Sequence, residues 1–364
     1  MVGMGNNMTN WLKDLRARDG VVDYEYDSYA KENCIYTCSP YFDWTLANKS
    51  MGMPKNSSML LVSEPKCGKS LSIYAMCLDQ QRRDAHLPKE KRRIQYLWNT
   101  EIRGQLQYTV FPDLDKEQMV IQDTNDPKEI FDFAEKDLKV MVQDGMPLGL
   151  LAIDSLTNIL GVKRGDADSV SDHLVGDHAL TVSIGMSKLI PFTKRHKIPL
   201  VCTSQMRANV NKKTKYDADL KIAESWAVLH GFEYFMSFKR AGAAEDKMDI
   251  EGKTFSDEEQ VDARGENVKT GHKIYVKCDA NSIGQSGRSG VFTLDTTKGI
   301  INQHEEIFWL GKNTGVLKTE SNNRVYVFGD KRWTGKKECA LAIRDNPDLA
   351  AGILEEVRKL DDKT

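Results

Sequence analysis

The chain has 364 residues, a formal net charge of -2, 40% hydrophobic and 29% charged residues, which is the balance of an ordinary globular protein. That length predicts one core with small appendages, and the near-neutral charge excludes a generally basic nucleic-acid coat, so any DNA site must be a local cluster of cations. No apolar run reaches the ~18 residues a membrane span needs, and MVGMGNNMTNWLKDLRARDG lacks a secretory stretch, so the expectation is a cytoplasmic protein without a membrane partner.

The first thirty-odd residues are polar, carry a helical pattern around Trp11 to Arg18 and run through Tyr24, Tyr26 and Tyr29; residues 1–35 read as an arm rather than a core. From Met59 the apolar runs become short and continuous: MLLV (59–62), IQYLW (94–98), LGLLAID (148–154) and IPLVCTS (198–204). Runs of this kind suit strands buried on both faces of a parallel sheet, and the helical-length stretches between them predict an α/β fold with right-handed crossovers. GFEYFMSFK (231–239), HKIYVKC (272–278) and GVFTLD (290–295) alternate more and are expected to extend the sheet as antiparallel strands. Residues 241–270 are almost wholly polar and read as an insertion, and from Ile301 onward helical patterns and RVYVF (324–328) predict a small α+β appendage, 301–364. Of the seven cysteines only Cys34 and Cys38 are close, without the second pair or nearby histidines of a zinc site, so reduced and mostly buried thiols are expected.

The strongest chemical signal is SEPKCGKS, Ser63, Glu64, Pro65, Lys66, Cys67, Gly68, Lys69 and Ser70, between the apolar strand and the helical LSIYAMCLDQQRR that opens at Leu71. A bare GKS tripeptide would mean little. In a strand–loop–helix setting, backbone N–H groups and a helix N-terminus face phosphates, with Lys69 reaching the terminal phosphates and the Ser70 hydroxyl available to Mg²⁺. The segment departs from GxxxxGK[ST] at its first position, where Ser63 stands for glycine. Asp154 ends an apolar strand and is expected to hold the Mg²⁺ water shell beside Ser70; its bland alternative is a turn or cap carboxylate. Glu101, just past the strand IQYLW, is expected to polarise the water that attacks a γ-phosphate, the alternative being a surface glutamate.

These motifs, and the stretch YTCSPYFDWTLANKSMGMPKNSSMLLVSEPKCGKS (36–70), resemble the RecA family of recombinases, including its phage UvsX members. The resemblance implies a RecA-type P-loop ATPase core over 36–300 with a mostly parallel central sheet, an N-terminal oligomerisation arm and a small α+β C-terminal domain. It places Tyr108, seven residues after Glu101, on the adenine. It makes Gln205, at the end of the strand in IPLVCTSQMRANVNKKTKY, the sensor of the γ-phosphate, and puts Arg207, Asn209, Lys212, Lys213 and Lys215 on a DNA-binding loop, with Lys163 and Arg164 on another. FWLGKNTGVLKTESNNRVYVFGDKRWTGKKECALAIRDNPDLAAGILEEVRKL (308–360) is similar to the family's C-terminal domain in order and spacing. Two departures stand out: Glu224 and Ser225 occupy the place of a double glycine, and of two basic residues that reach a neighbour's ATP, Lys277 matches the first while Asp279 replaces the second, with Arg288 as a substitute.

The resemblance therefore implies an ATP- and Mg²⁺-dependent, DNA-dependent ATPase that forms helical filaments on single-stranded DNA and promotes pairing and strand exchange with double-stranded DNA in recombination and repair. Its partners would be other copies of itself and, beyond these, loader and single-strand-binding proteins, in a host cytoplasm or, for a phage protein, a viral replication compartment. Two alternatives stay open: a helicase-like ATPase on the same core, and a non-catalytic filament scaffold or mediator that binds ATP and DNA.

Overall fold

Apolar residues that alternate between two faces build the centre of the molecule. The structure, a computed structural model, describes residues 13–14, 27–102, 110–162, 176–208, 220–222, 224–241, 271–295, 298–322 and 324–361. The first pairing joins β1 (Cys34–Ile35) to β2 (Met53–Pro54), with α1 (Pro40–Thr45) between them. Ser39 starts α1 because its Oγ accepts from the Phe42 N–H, and Pro40 fills the first helical position, where a missing N–H is harmless.

There follow β3 (Ser58–Ser63), α2 (Lys69–Asp84), β4 (Ile94–Asn99), β5 (Met119–Asp123), the helical segment α3 (128–143), β6 (Leu148–Asp154), α4 (Asp177–Arg195) and β7 (Leu200–Ala208). After β8 (Leu220–Ile222) and the one-turn α5 (Trp226–Leu229) come β9 (Tyr234–Arg240), β10 (Gly271–Asn281), β11 (Ser289–Asp295) and β12 (Gly299–Ile301). The main sheet runs β12-β11-β10-β9-β3-β7-β6-β4-β5, with β8 folded back onto the end of β7. Pairing is parallel from β9 to β5 and antiparallel from β9 to β12. The fold is thus α/β around a large, mostly parallel sheet.

One strand differs from the sequence reading. The 231–239 segment was expected to be antiparallel, yet β9 lies parallel to β3 and becomes antiparallel only toward β10. The reason is the connection: the chain leaves β7, passes β8 and α5, and crosses β3 before re-entering the sheet, and a crossover of that length delivers a parallel strand.

Alternation along β3 divides the core. Met59 and Leu61 pack with Ile73 and Met76 of α2 and Phe42 of α1, whereas Leu60 and Val62 pack with Trp98, Ile153, Ile130 and Met186 on the opposite face. With helices on both sides, every residue of β6 is buried, which explains its unbroken apolar run.

The C-terminal lobe comprises α6 (Gln303–Asn313), the meander β13 (Lys318–Glu320), β14 (Val325–Phe328) and β15 (Lys331–Thr334), then α7 (Lys336–Asp345) and α8 (Pro347–Asp361). Phe308, Tyr326, Trp333, Ile343 and Ile353 form its own core. Its seam with the main domain is polar at one point: Glu306 Oε2 accepts from Ser39 Oγ at 2.6 Å and from the Tyr41 N–H at 3.1 Å. Burial holds that carboxyl well above the usual range. All seven cysteines are free thiols, six of them buried, and no helix among the described residues is long and apolar enough to cross a membrane.

Candidate functional site

Parallel strands bring their C-terminal ends to one side of a sheet, and side chains from several strands can then converge where the chain turns into helices. Here the register aligns Ser63 of β3 with Gln205 of β7, and Asn99 of β4 with Asp154 of β6. Residues distant in the chain meet at that edge.

The loop between β3 and α2 turns through two left-handed residues, Lys66 at φ 63° and Gly68 at φ 85°. The positive φ at Gly68 favours glycine, and a Cβ there would also lie 2.7 Å from the Leu294 Cδ2 methyl, which would have to shift. Gly68 gives α2 no side-chain cap, which leaves the helix's first N–H groups available to an anion. Ser63, the departure from the glycine-led motif, is a strand residue without positive φ, so its backbone does not demand glycine. Its hydroxyl holds the lysine: Ser63 Oγ accepts from Lys69 Nζ at 2.7 Å and donates to the Glu64 carbonyl at 2.6 Å. Lys69 further donates to the carbonyls of Ser63 and Glu64, both at 3.3 Å. The ammonium is therefore kept against its own loop by neutral acceptors that a phosphate can replace. Burial lowers the pKa of Lys69, and the Asp154 and Glu101 carboxylates oppose that shift.

Asp154 is buried at the end of β6, and burial raises its pKa against hydrogen bonds from Ser70 and Thr203 that favour the carboxylate. The Thr203 hydroxyl donates to Asp154 Oδ1 at 2.5 Å. Ser70, at the start of α2, thus neighbours Asp154, and the two supply a hydroxyl and a carboxylate of the hard-oxygen type that suits Mg²⁺. Among the described residues there is no group of three or more His, Cys, Asp or Glu side chains able to hold a metal. A Mg²⁺ ion that keeps waters and takes phosphate oxygens needs only one or two protein ligands.

Glu101 follows β4 and is pinned to β6, since both Thr100 N and Glu101 N donate to the Asp154 carbonyl, at 2.8 and 3.3 Å. Thr100 Oγ1 adds two bonds to Ser155, donating to its carbonyl at 2.6 Å and accepting from its N–H at 2.7 Å. From the other side Gln205 Nε2 donates to Glu101 Oε1 at 2.8 Å. Lys69, Ser70, Asp154, Glu101 and Gln205 are therefore assembled at one edge of the sheet.

The remaining expected residues divide differently. Tyr108, Lys163, Arg164, Asn209, Lys212, Lys213 and Lys215 lie outside the described residues. Arg207 belongs to β7, paired across the hairpin with Lys221. Lys277 stands in register with Ser237 of β9, and Ser237 with Val62 of β3, so it sits at the level of the loop but two strands away, ~10 Å across the sheet. Its ammonium pairs with Asp279 at 2.7 Å. Arg288 lies over the Trp44 ring, 4.8 Å from its centroid, and donates to the Trp44 carbonyl.

Sequence reasoning did not select Thr100, Thr157, Thr203 and Ser204, which hold the site's backbone and carboxylates in place. Their one signal was adjacency: each lies within three residues of Glu101, Asp154 or Gln205. Set against protein-family models and curated proteins, the chain matches none.

Proposed function

We propose that this chain is a DNA-dependent ATPase of the RecA recombinase type, which assembles as a helical filament on single-stranded DNA and promotes homologous pairing and strand exchange. The observation that carries the reading is the hydrogen bond between Gln205 and Glu101, which ties the residue expected to orient the attacking water to the strand leading into a basic segment.

In this reading ATP lies along the loop 63–70, with its phosphates at the N-terminus of α2. Lys69 exchanges its bonds to Ser63 and Glu64 for the terminal phosphate oxygens. Ser70 and Asp154 would hold Mg²⁺, which when bound neutralises charge on the phosphates. Glu101 orients a water in line with the γ-phosphate, which calls for positioning more than for proton removal. Gln205 stands where a new phosphate contact competes with its bond to Glu101. Nucleotide state and the position of β7 are linked through that choice, and a shared ligand can then bias the DNA-gripping state.

A second reading, a filament scaffold that binds ATP and DNA with little turnover, is favoured by one feature: Asp279 already neutralises Lys277, the residue expected to act on a neighbour's nucleotide. Two measurements separate the readings. Electron microscopy with single-stranded DNA and a slowly hydrolysed ATP analogue should show helical filaments; closed rings would favour the helicase-like alternative, and no assembly would sink both filament readings. Phosphate release should rise on adding single-stranded DNA. Filaments without that rise would leave the scaffold.

A further inference from the structure

Glu224 is a buried carboxylate at a position where the family resemblance leads one to expect glycine. Its Oε1 accepts from Ser204 Oγ at 3.1 Å and from Thr157 Oγ1 at 3.3 Å. Thr157 Oγ1 in turn accepts from the Gln205 N–H at 3.1 Å, and Gln205 passes its side-chain amide to Glu101. Glu224 also stands at the base of the β7–β8 hairpin, two residues beyond Ile222, which pairs with Met206, the neighbour of Gln205. One carboxylate therefore closes the hairpin base and begins a chain of bonds that ends on Glu101.

The hydrogen count gives this arrangement a direction. Each hydroxyl has one proton to give. Thr157 and Ser204 lie 3.2 Å apart, close enough to donate to one another. Glu224 Oε1 accepts from both hydroxyls, so each spends its single proton on that oxygen rather than on its neighbour. The Thr157 lone pairs are then left facing the Gln205 N–H. Without the carboxylate the two hydroxyls share a single bond and can rotate, so the Thr157 lone pairs are no longer held toward the Gln205 N–H, although the pairing of β7 with β3 and β8 persists.

We infer that Glu224 is a positioning residue for ATP hydrolysis, acting through Thr157 and Ser204 to hold Gln205 and thereby Glu101 in register with the phosphates. The inference rests on the ATPase reading above. A residue acting in this way affects turnover rather than affinity, and its effect vanishes when the residue it positions is gone.

The test measures DNA-stimulated ATP hydrolysis and the affinity for a fluorescent ATP analogue in the full-length protein, with thermal melting to verify folding. Glu224→Ala should lower kcat about tenfold with analogue affinity changed by less than about twofold. Glu224→Gln, whose amide oxygen still accepts, should keep at least about half of kcat. In a Gln205→Ala background, Glu224→Ala should cost less than about twofold more, the non-additivity of residues in one network. Thr157→Val should reproduce the loss and Thr157→Ser should not, a comparison that leaves Glu224 in place should its alanine variant fold poorly. Unchanged kcat in Glu224→Ala, equal losses in the Ala and Gln variants, equal activity of Thr157→Val and Thr157→Ser, or fully multiplicative losses in the double variant would overturn the inference while the ATPase reading stands. A wild-type protein that neither binds the analogue nor hydrolyses ATP would overturn that reading, and this inference with it.

Discussion

Gln205 donates its side-chain amide to the Glu101 carboxylate at 2.8 Å, although the two residues are 104 positions apart in the chain. The bond spans the ends of β7 and β4, with the end of β6 between them. If Gln205 exchanges this bond for a phosphate contact, ATP binding and DNA binding become coupled. Wild-type protein should then bind single-stranded DNA more tightly with ATP, by roughly the 5- to 150-fold usual for such couplings, and Gln205→Ala should show less than about a twofold gain while binding ATP nearly normally. Fluorescence anisotropy of labelled DNA, with and without a slowly hydrolysed analogue, measures both. An undiminished gain in the variant assigns the coupling elsewhere.

Lys69 and Glu101 should fail in different ways. If ATP lies along the loop 63–70, Lys69→Ala removes the cation that would face its terminal phosphates and should abolish hydrolysis, a loss of at least about a hundredfold. Glu101→Gln keeps the shape and the loop intact, so ATP binding should persist while turnover falls by about 10²- to 10⁴-fold. Comparing nucleotide affinity with single-turnover rates separates the two roles, and an equal loss of affinity in both variants contradicts them.

Lys277 tests assembly. If it reaches a neighbouring protomer's nucleotide, Lys277→Ala should hydrolyse ATP poorly, and mixing it with Lys69→Ala should restore part of the activity, because some interfaces then pair an intact loop with an intact Lys277. The ion pair with Asp279 adds a second expectation: Asp279→Asn frees the ammonium and should raise turnover modestly, by about two- to threefold. Mixtures that never exceed the summed activities, despite mixed filaments in micrographs, exclude the trans role.

Stability has its own test at Asp84 and Arg93, which join the end of α2 to the start of β4. Arg93 grips the nearly buried carboxylate with two bonds, Nε to Oδ2 at 2.7 Å and Nη2 to Oδ1 at 2.6 Å. Burial pushes the Asp84 pKa up, but the paired Arg93 guanidinium outweighs it and holds the value below 3.8. A depressed carboxylate stabilises the fold above its unfolded value, and that contribution is lost as pH falls through the folded value. Arg93→Ala should therefore cost about 3 kcal/mol at neutral pH, with the difference from wild type shrinking below about pH 4. Urea unfolding at pH 7 and at pH 3 reads this directly; a difference that grows in acid is the opposite sign.

Local chemistry made part of this protein legible from its sequence. Lys69 and Ser70 could be picked out because strand, loop and helix are adjacent in the chain, and Asp154 because an apolar run ends on it; β6 needs no partner to declare itself buried on both faces. The polar character of 241–270 and the separate C-terminal lobe were likewise compositional. Which residues meet was a matter of strand order. Nothing local says that β7 lies between β3 and β6, yet that placement brings Gln205 to Glu101 and Thr203 to Asp154. The parallel direction of β9 depended on a crossover past β3, which alternation along 231–239 does not encode. Glu224 shows the limit most clearly: in the sequence it is one carboxylate among many, and in the fold it is a buried acceptor for two hydroxyls from separate segments. Hydrophobic period and turn chemistry act over a few residues and so can be read along the chain, whereas a hydrogen bond between strand ends exists only once the whole sheet has chosen its order.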